Sequence, residues 1–69
     1  MGVHKVIEVL AFSEESWEDA AQKAVDSVSK NVRNIESIYI QEKSGKVSNN
    51  KIVQFRLTAK ITFSVALAT

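Results

Sequence analysis

Several residue types that stabilise small proteins are absent or scarce in this 69-residue chain. It has no cysteine, so no disulfide can form, and its single histidine, His4, excludes the Cys/His clusters that hold structural zinc. A chain of this length buries only about 60% of the surface that its unfolded form exposes. Because small domains without disulfides or metals commonly gain stability by association, we expect copies of this chain to self-associate.

Other absences exclude whole classes of function. The chain has no proline and only two glycines, and no apolar run approaches the roughly 18 residues of a membrane-spanning helix. It contains no cysteine nucleophile, no glycine-rich phosphate loop and no Ser/His/acid set with a supporting motif. We therefore expect one cytoplasmic, non-enzymatic domain over residues 1–69, with no membrane partner.

Charge is distributed unevenly along the chain. Residues 1–29 carry two basic and six acidic residues, a net charge of −4, whereas residues 30–69 carry seven basic and two acidic residues, a net charge of +5. The basic half could bind a phosphate or carboxylate, or the two halves could simply carry complementary solvated charges, which we favour. Sheets that bind single-stranded nucleic acid display several aromatic residues, and only Tyr39 qualifies here, so we expect no nucleic-acid partner.

The first half of the chain predicts a strand followed by a helix. Residues 3–12 are apolar on both sides of the predicted strand, which indicates that both faces are covered. The period changes at Ser13, which we expect to be the helix N-cap. One apolar stripe follows at helical spacing, formed by Trp17, Ala20, Ala21, Ala24, Val28 and Val32. Trp17 is therefore expected in the core rather than at a ligand.

The second half predicts a β-hairpin. Residues 35–47 and 53–67 alternate between apolar and polar side chains, and Asn49 and Asn50 suit a type I′ turn. Pairing residue 48 with residue 51 brings two apolar pairs together, Ile38 with Ile61 and Ile40 with Ala59. On the polar face it brings two further pairs together, Gln41 with Thr58 and Lys43 with Arg56. Like charges opposite each other are unfavourable, so solvent, a neighbouring carboxylate or a bound anion must relieve the last pair.

Two other groups of residues could be mistaken for sites. His4 is expected to be an exposed strand residue. The acidic residues at positions 14, 15, 18 and 19 could bind calcium, but carboxylates in a first helical turn are expected from the helix dipole alone, which we favour.

The chain resembles the dodecins, small flavin-binding proteins that assemble as hollow shells of twelve subunits. The resemblance lies in the segments KVIEV at residues 5–9, SEESWEDA at residues 13–20 and KITF at residues 60–63, and in the length and order of elements over nearly the whole chain. It implies an α+β fold of order β-α-β-β, with a three-stranded antiparallel sheet around one helix. It also implies a homododecamer with 23 symmetry that stores flavin at subunit interfaces without turnover.

The resemblance implies three cofactor-binding residues. Ser37 stands where flavin-binding members carry a stacking tryptophan, Arg56 where they carry a glutamine, and Glu42 at an acidic position that contacts the ribityl chain. Serine cannot stack on a ring, so a weaker or different ligand is implied. We expect riboflavin or FMN. The alternative is a shell without flavin that has a structural role or binds coenzyme A or calcium, and no metal ligands can be assigned.

Overall fold

The computed structural model describes residues 2–65, which form a three-stranded antiparallel sheet with one helix on one face. The elements are β1 (Val3–Ser13), α1 (Trp17–Ser29), β2 (Ile35–Ser48) and β3 (Lys51–Val65). The strand order is β1-β3-β2, so β3 is central and pairs with both neighbours. The predicted α+β fold is confirmed. The predicted end of the last strand, residues 66–67, lies outside the described residues.

The core lies between β3 and α1. Alternate residues of β3, namely Leu57, Ala59 and Ile61, are buried against Ala20, Ala24 and Val28 of the helix. Alanine has a short side chain and loses no side-chain entropy, so two alanines on the inner stripe let the helix approach the sheet closely. The predicted periods, two for the strand and 3.6 for the helix, both identify the buried residues correctly.

The helix begins later than the sequence predicts, because the second of two nearby serines is its cap. The Ser16 hydroxyl accepts a hydrogen bond from the Asp19 backbone N–H at 2.9 Å. Ser13, predicted as the cap, is instead the buried end of β1 and pairs with Phe55. The Ser13 hydroxyl accepts from the Glu15 N–H and donates to the Asp19 carboxylate. Both serines can cap, but the longer β1 takes Ser13 into the sheet.

The predicted turn and two of its predicted contacts are confirmed. Asn49 and Asn50 have φ values of 53° and 63°, as a type I′ turn requires, and Ser48 pairs with Lys51. Farther from the turn, Ile38 pairs with Ile61 and Ile40 with Ala59, as predicted. The register is therefore predicted correctly at the turn and beside the core.

Between those two regions the predicted register is wrong by one residue. A register shift at Glu36 lies near the start of β2. Closer to the turn, Gln41 is an extra residue on β2 and Val53 is an extra residue on β3, and each of these two forms a β-bulge. The two bulges offset each other, and between them Lys43 lies opposite Leu57 while Ser44 lies opposite Arg56. The predicted pair of Lys43 with Arg56 does not form, and Glu42 rather than Gln41 lies opposite Thr58. The shift separates two cations that a regular hairpin would place together.

Candidate ligand-binding site

The face of the sheet opposite the helix, here called the outer face, carries a mixture of apolar and charged side chains. On β1, Ile7, Val9 and Ala11 pack towards the helix, whereas Leu10 and Phe12 are exposed. The same alternation leaves Tyr39 of β2 exposed. Within the subunit the helix covers one side of β1, and the other side is exposed. That the second side is also covered stays a prediction.

A cavity of about 280 Å³ lies on this outer face and is called the site cavity below. It is built from two rows of residues that run across the three strands. One row contains Phe12, Arg56 and Ser44, and the other contains Leu10, Thr58 and Glu42. Because neighbouring strands lie about 4.8 Å apart, each row spans roughly 10 Å. The cavity thus joins an apolar wall on β1 to charged and hydroxyl groups on β3 and β2.

The structure brings together two of the three predicted site residues. Glu42 and Arg56 both line the site cavity. Ser37 lies on the same strand as Glu42, but it pairs with Thr62, six residues from Arg56 along β3. At about 3.3 Å per residue this separation is roughly 20 Å. Within one subunit, Ser37 is therefore outside the cavity that the other two residues share.

The bulge at Gln41 determines which charged residues the site cavity contains. In the regular register predicted from the sequence, Gln41 and Lys43 would occupy the outer face. In the structure Glu42 pairs with Thr58 and lines the site cavity, while Lys43 pairs with the buried Leu57 and lies beside the helix. The conflict between Lys43 and Arg56 was the sequence signal that could have revealed this shift.

The charged residues that line the site cavity, Glu42 and Arg56, form no ion pair within residues 2–65. Within residues 2–65, two pairs lie within 4 Å, His4 with Glu36 at 3.4 Å and Lys23 with Asp19 at 2.9 Å. Neither includes Arg56 or Glu42. A guanidinium that is not in such a pair can donate two parallel hydrogen bonds to a carboxylate or a phosphate.

Trp17 supports the site cavity from the helix side of the sheet. Its indole Nε1 donates to the backbone carbonyl oxygens of Ser44 at 3.0 Å and Arg56 at 3.2 Å. Its ring meets Phe55 edge-on, with 4.8 Å between the ring centroids. Trp17 packs against the core, as predicted. It also fixes the backbone of the row that carries Arg56, a role that sequence periodicity does not reveal.

Asp19 and Lys23, at the helix entry, are electrostatically coupled. The pKa of Asp19 is lowered, chiefly by the hydrogen bond from the Ser13 hydroxyl and then by the hydrogen bond with Lys23. The pKa of Lys23 is raised in turn, chiefly by its hydrogen bond with Asp19. This coupling stabilises the junction of β1 and α1, and neither Asp19 nor Lys23 lines the site cavity.

Residues 2–65 contain neither a metal-binding cluster nor a membrane-spanning helix. No group of three or more histidine or acidic residues there could hold a metal ion, and that includes the acidic helix entry. No helix in the same range is long and apolar enough to cross a membrane. A groove of about 380 Å³ runs between β1 and α1, lined mainly by apolar residues.

Comparison with known proteins identifies the family. The Dodecin family model matches residues 3–66. The chain therefore belongs to the dodecin family, whose members are small oligomeric proteins that bind small ligands. No curated protein sequence matches the chain.

Solved dodecin structures have the same fold. A mutant of the Thermus thermophilus dodecin is 22% identical and superposes with a TM-score of 0.91, covering 99% of this chain and 100% of that one. Dodecin from Streptomyces davaonensis is 18% identical, with a TM-score of 0.87 and coverage of 96% and 97%. The calcium dodecin from Mycobacterium tuberculosis, described as having a novel calcium-binding site, is 27% identical, with a TM-score of 0.79 and coverage of 97% and 96%.

Proposed function

We propose that this protein stores a flavin, riboflavin or FMN, in the cytoplasm without catalysing a reaction. The proposal places the flavin at interfaces of a homododecamer with 23 symmetry. Ser37, Glu42 and Arg56 are the proposed binding residues. The observation that carries the proposal is that Glu42 and Arg56, which come from different strands, line one cavity in a chain of the dodecin family.

The residues of the site cavity fit a flavin in part. Arg56 can bind the phosphate of FMN, and Glu42 can accept hydrogen bonds from the hydroxyl groups of a ribityl chain. Ser37 offers a hydroxyl but no ring, and it lies roughly 20 Å from Arg56 in the same subunit. A flavin that contacts both residues must therefore lie between subunits, which is why the proposal includes assembly.

A second candidate is a shell that binds coenzyme A or calcium, or that has only a structural role. The unpaired guanidinium of Arg56 favours a phosphate-bearing ligand, and coenzyme A carries several phosphates. Calcium is supported by the calcium dodecin among the similar structures. Calcium would require carboxylates from more than one subunit, because no group of three lies together in residues 2–65.

Flavin fluorescence and native mass spectrometry together test the proposed function. We expect FMN emission to fall on titration with the full-length protein, and the assembly to gain mass by whole flavins. Unchanged emission with both FMN and riboflavin up to high micromolar protein would contradict flavin storage. A mass increase with coenzyme A or calcium, in the absence of any with flavin, would establish the second candidate instead.

A further inference from the structure

The site cavity has an apolar wall that the predicted binding residues do not account for. Leu10 and Phe12 of β1 line the cavity, and they are 82% and 61% exposed. Neighbouring side chains of this kind, exposed together on a surface with charged groups beside them, commonly mark a binding site.

The position of Phe12 relative to Arg56 is set by the sheet. The two residues are direct partners across β1 and β3, so their backbones lie one strand spacing apart and both side chains point to the outer face. Ser44 completes the row on the other side of Arg56. An aromatic ring, a guanidinium and a hydroxyl therefore stand side by side, and Trp17 holds the backbone of two of them from below.

Phe12 and Arg56 suit a ligand that has both an aromatic ring and a phosphate. A phenyl ring stacks on a planar aromatic ring, and Leu10 extends the same apolar wall. The guanidinium of Arg56 is matched in geometry to a phosphate. A ligand that has only one of the two groups would leave either the apolar wall or the guanidinium without a partner.

We infer that Phe12 is the ring-contacting residue of the site cavity, and that with Arg56 it makes the site select planar aromatic molecules that carry a phosphate. This inference rests on the proposed function in one respect, that the site cavity is the ligand site. It does not require the ligand to be a flavin.

The test uses the full-length protein with three probes, namely FMN, riboflavin and coenzyme A, titrated by calorimetry. Phe12→Ala removes the ring, and Phe12→Trp replaces it with a larger ring. Tyr39→Ala is the matched control, because Tyr39 is an aromatic residue on the same face, 66% exposed, but outside the residues that line the site cavity. Native mass spectrometry of each variant reports its assembly.

We expect Phe12→Ala to weaken the tightest-binding phosphate probe about tenfold, as the loss of a stacking contact and its buried area predicts. Phe12→Trp should bind within about threefold of the original protein, and Tyr39→Ala within about twofold. Riboflavin, which lacks the phosphate, should bind more weakly than FMN.

Several outcomes would overturn the inference, and they differ from those that overturn flavin storage. If the original protein binds FMN and Phe12→Ala binds it equally well, the inference is wrong and flavin storage stands. If only coenzyme A binds and Phe12→Ala weakens it, flavin storage is wrong and the inference stands. Disassembly of both Phe12 variants would show that a second copy covers Phe12, against the inference. Failure of all three probes would overturn both proposals.

Discussion

At the scale of single residues, the site cavity contains charged side chains that form no ion pair within residues 2–65. Glu42 and Arg56 face the same cavity, yet neither takes part in an ion pair among residues 2–65. Some other charged residues of that range form ion pairs within the subunit, as Asp19 and Lys23 do. A ligand that has both a charged group and an apolar ring could bind these charged side chains and the exposed apolar surface beside them.

A charge reversal at Arg56 tests this point. Arg56→Glu should weaken FMN binding by at least about tenfold, because charge-assisted hydrogen bonds to a phosphate are lost and repulsion replaces them. The loss for riboflavin should be smaller, since riboflavin has no phosphate. Fluorescence titration measures both affinities, and the thermal midpoint should stay within a few degrees of the original.

Lys60→Glu is the control for that change. Lys60 lies on the same strand and the same face, opposite Glu8 and Tyr39, and does not line the site cavity. An equal loss of FMN affinity in both variants would show that net charge, rather than Arg56 itself, determines binding.

At the scale of secondary-structure elements, the sequence predicts the elements well and their junctions less well. The periods predict the buried residues of β3 and α1, and two asparagines predict the turn. The sequence pattern favoured the wrong serine as the helix cap and did not indicate the three register shifts of the hairpin, because each of these depends on tertiary packing. A serine caps equally well at either position, and a bulge costs a hydrogen bond that only side-chain contacts elsewhere can offset.

The identity of the helix cap can be measured. Ser16→Ala should lower the free energy of unfolding by about 1 kcal/mol, because the Asp19 N–H loses its acceptor. Ser29→Ala, at the other end of α1, is the control: the Ser29 hydroxyl donates to the Asp26 carbonyl and caps no N–H group. Urea unfolding at one fixed protein concentration gives both values, since association adds to apparent stability. Equal effects of the two changes would contradict the assignment of the cap.

At the scale of the whole molecule, the subunit is more extended than a compact monomer of the same length. Its radius of gyration is 14.4 Å, against about 11 Å for a compact chain of this length. Its accessible surface is 5280 Å², against about 4,300 Å² for a compact monomer of 7.7 kDa. The excess includes exposed apolar residues near the hairpin tip, namely Val47, Ile52 and Val53. The shape agrees with the expectation, made from chain length alone, that copies associate.

Native mass spectrometry tests that expectation directly. Twelve copies of 7.7 kDa give a particle of about 92 kDa, which we expect to be the main species at micromolar concentration. On dilution, dissociation and unfolding should occur together, because one small core stabilises the subunit weakly. Circular dichroism measures the unfolding. A monomer that keeps its fold at micromolar concentration would contradict both the argument from size and the proposed interface site.

The two offsetting bulges have a consequence for how this protein can change in evolution. Gln41 and Val53 are each the surplus residue at their bulge, so the loss of either codon from the gene would leave every other cross-strand pair in place. Loss of the codon for Thr58 would instead turn part of β3 over and move Arg56 to the other side of the sheet. Glu36 is surplus in the same way at the start of β2, so natural length variation in this hairpin should concentrate at positions 36, 41 and 53, and lineages that differ there can keep the same ligand.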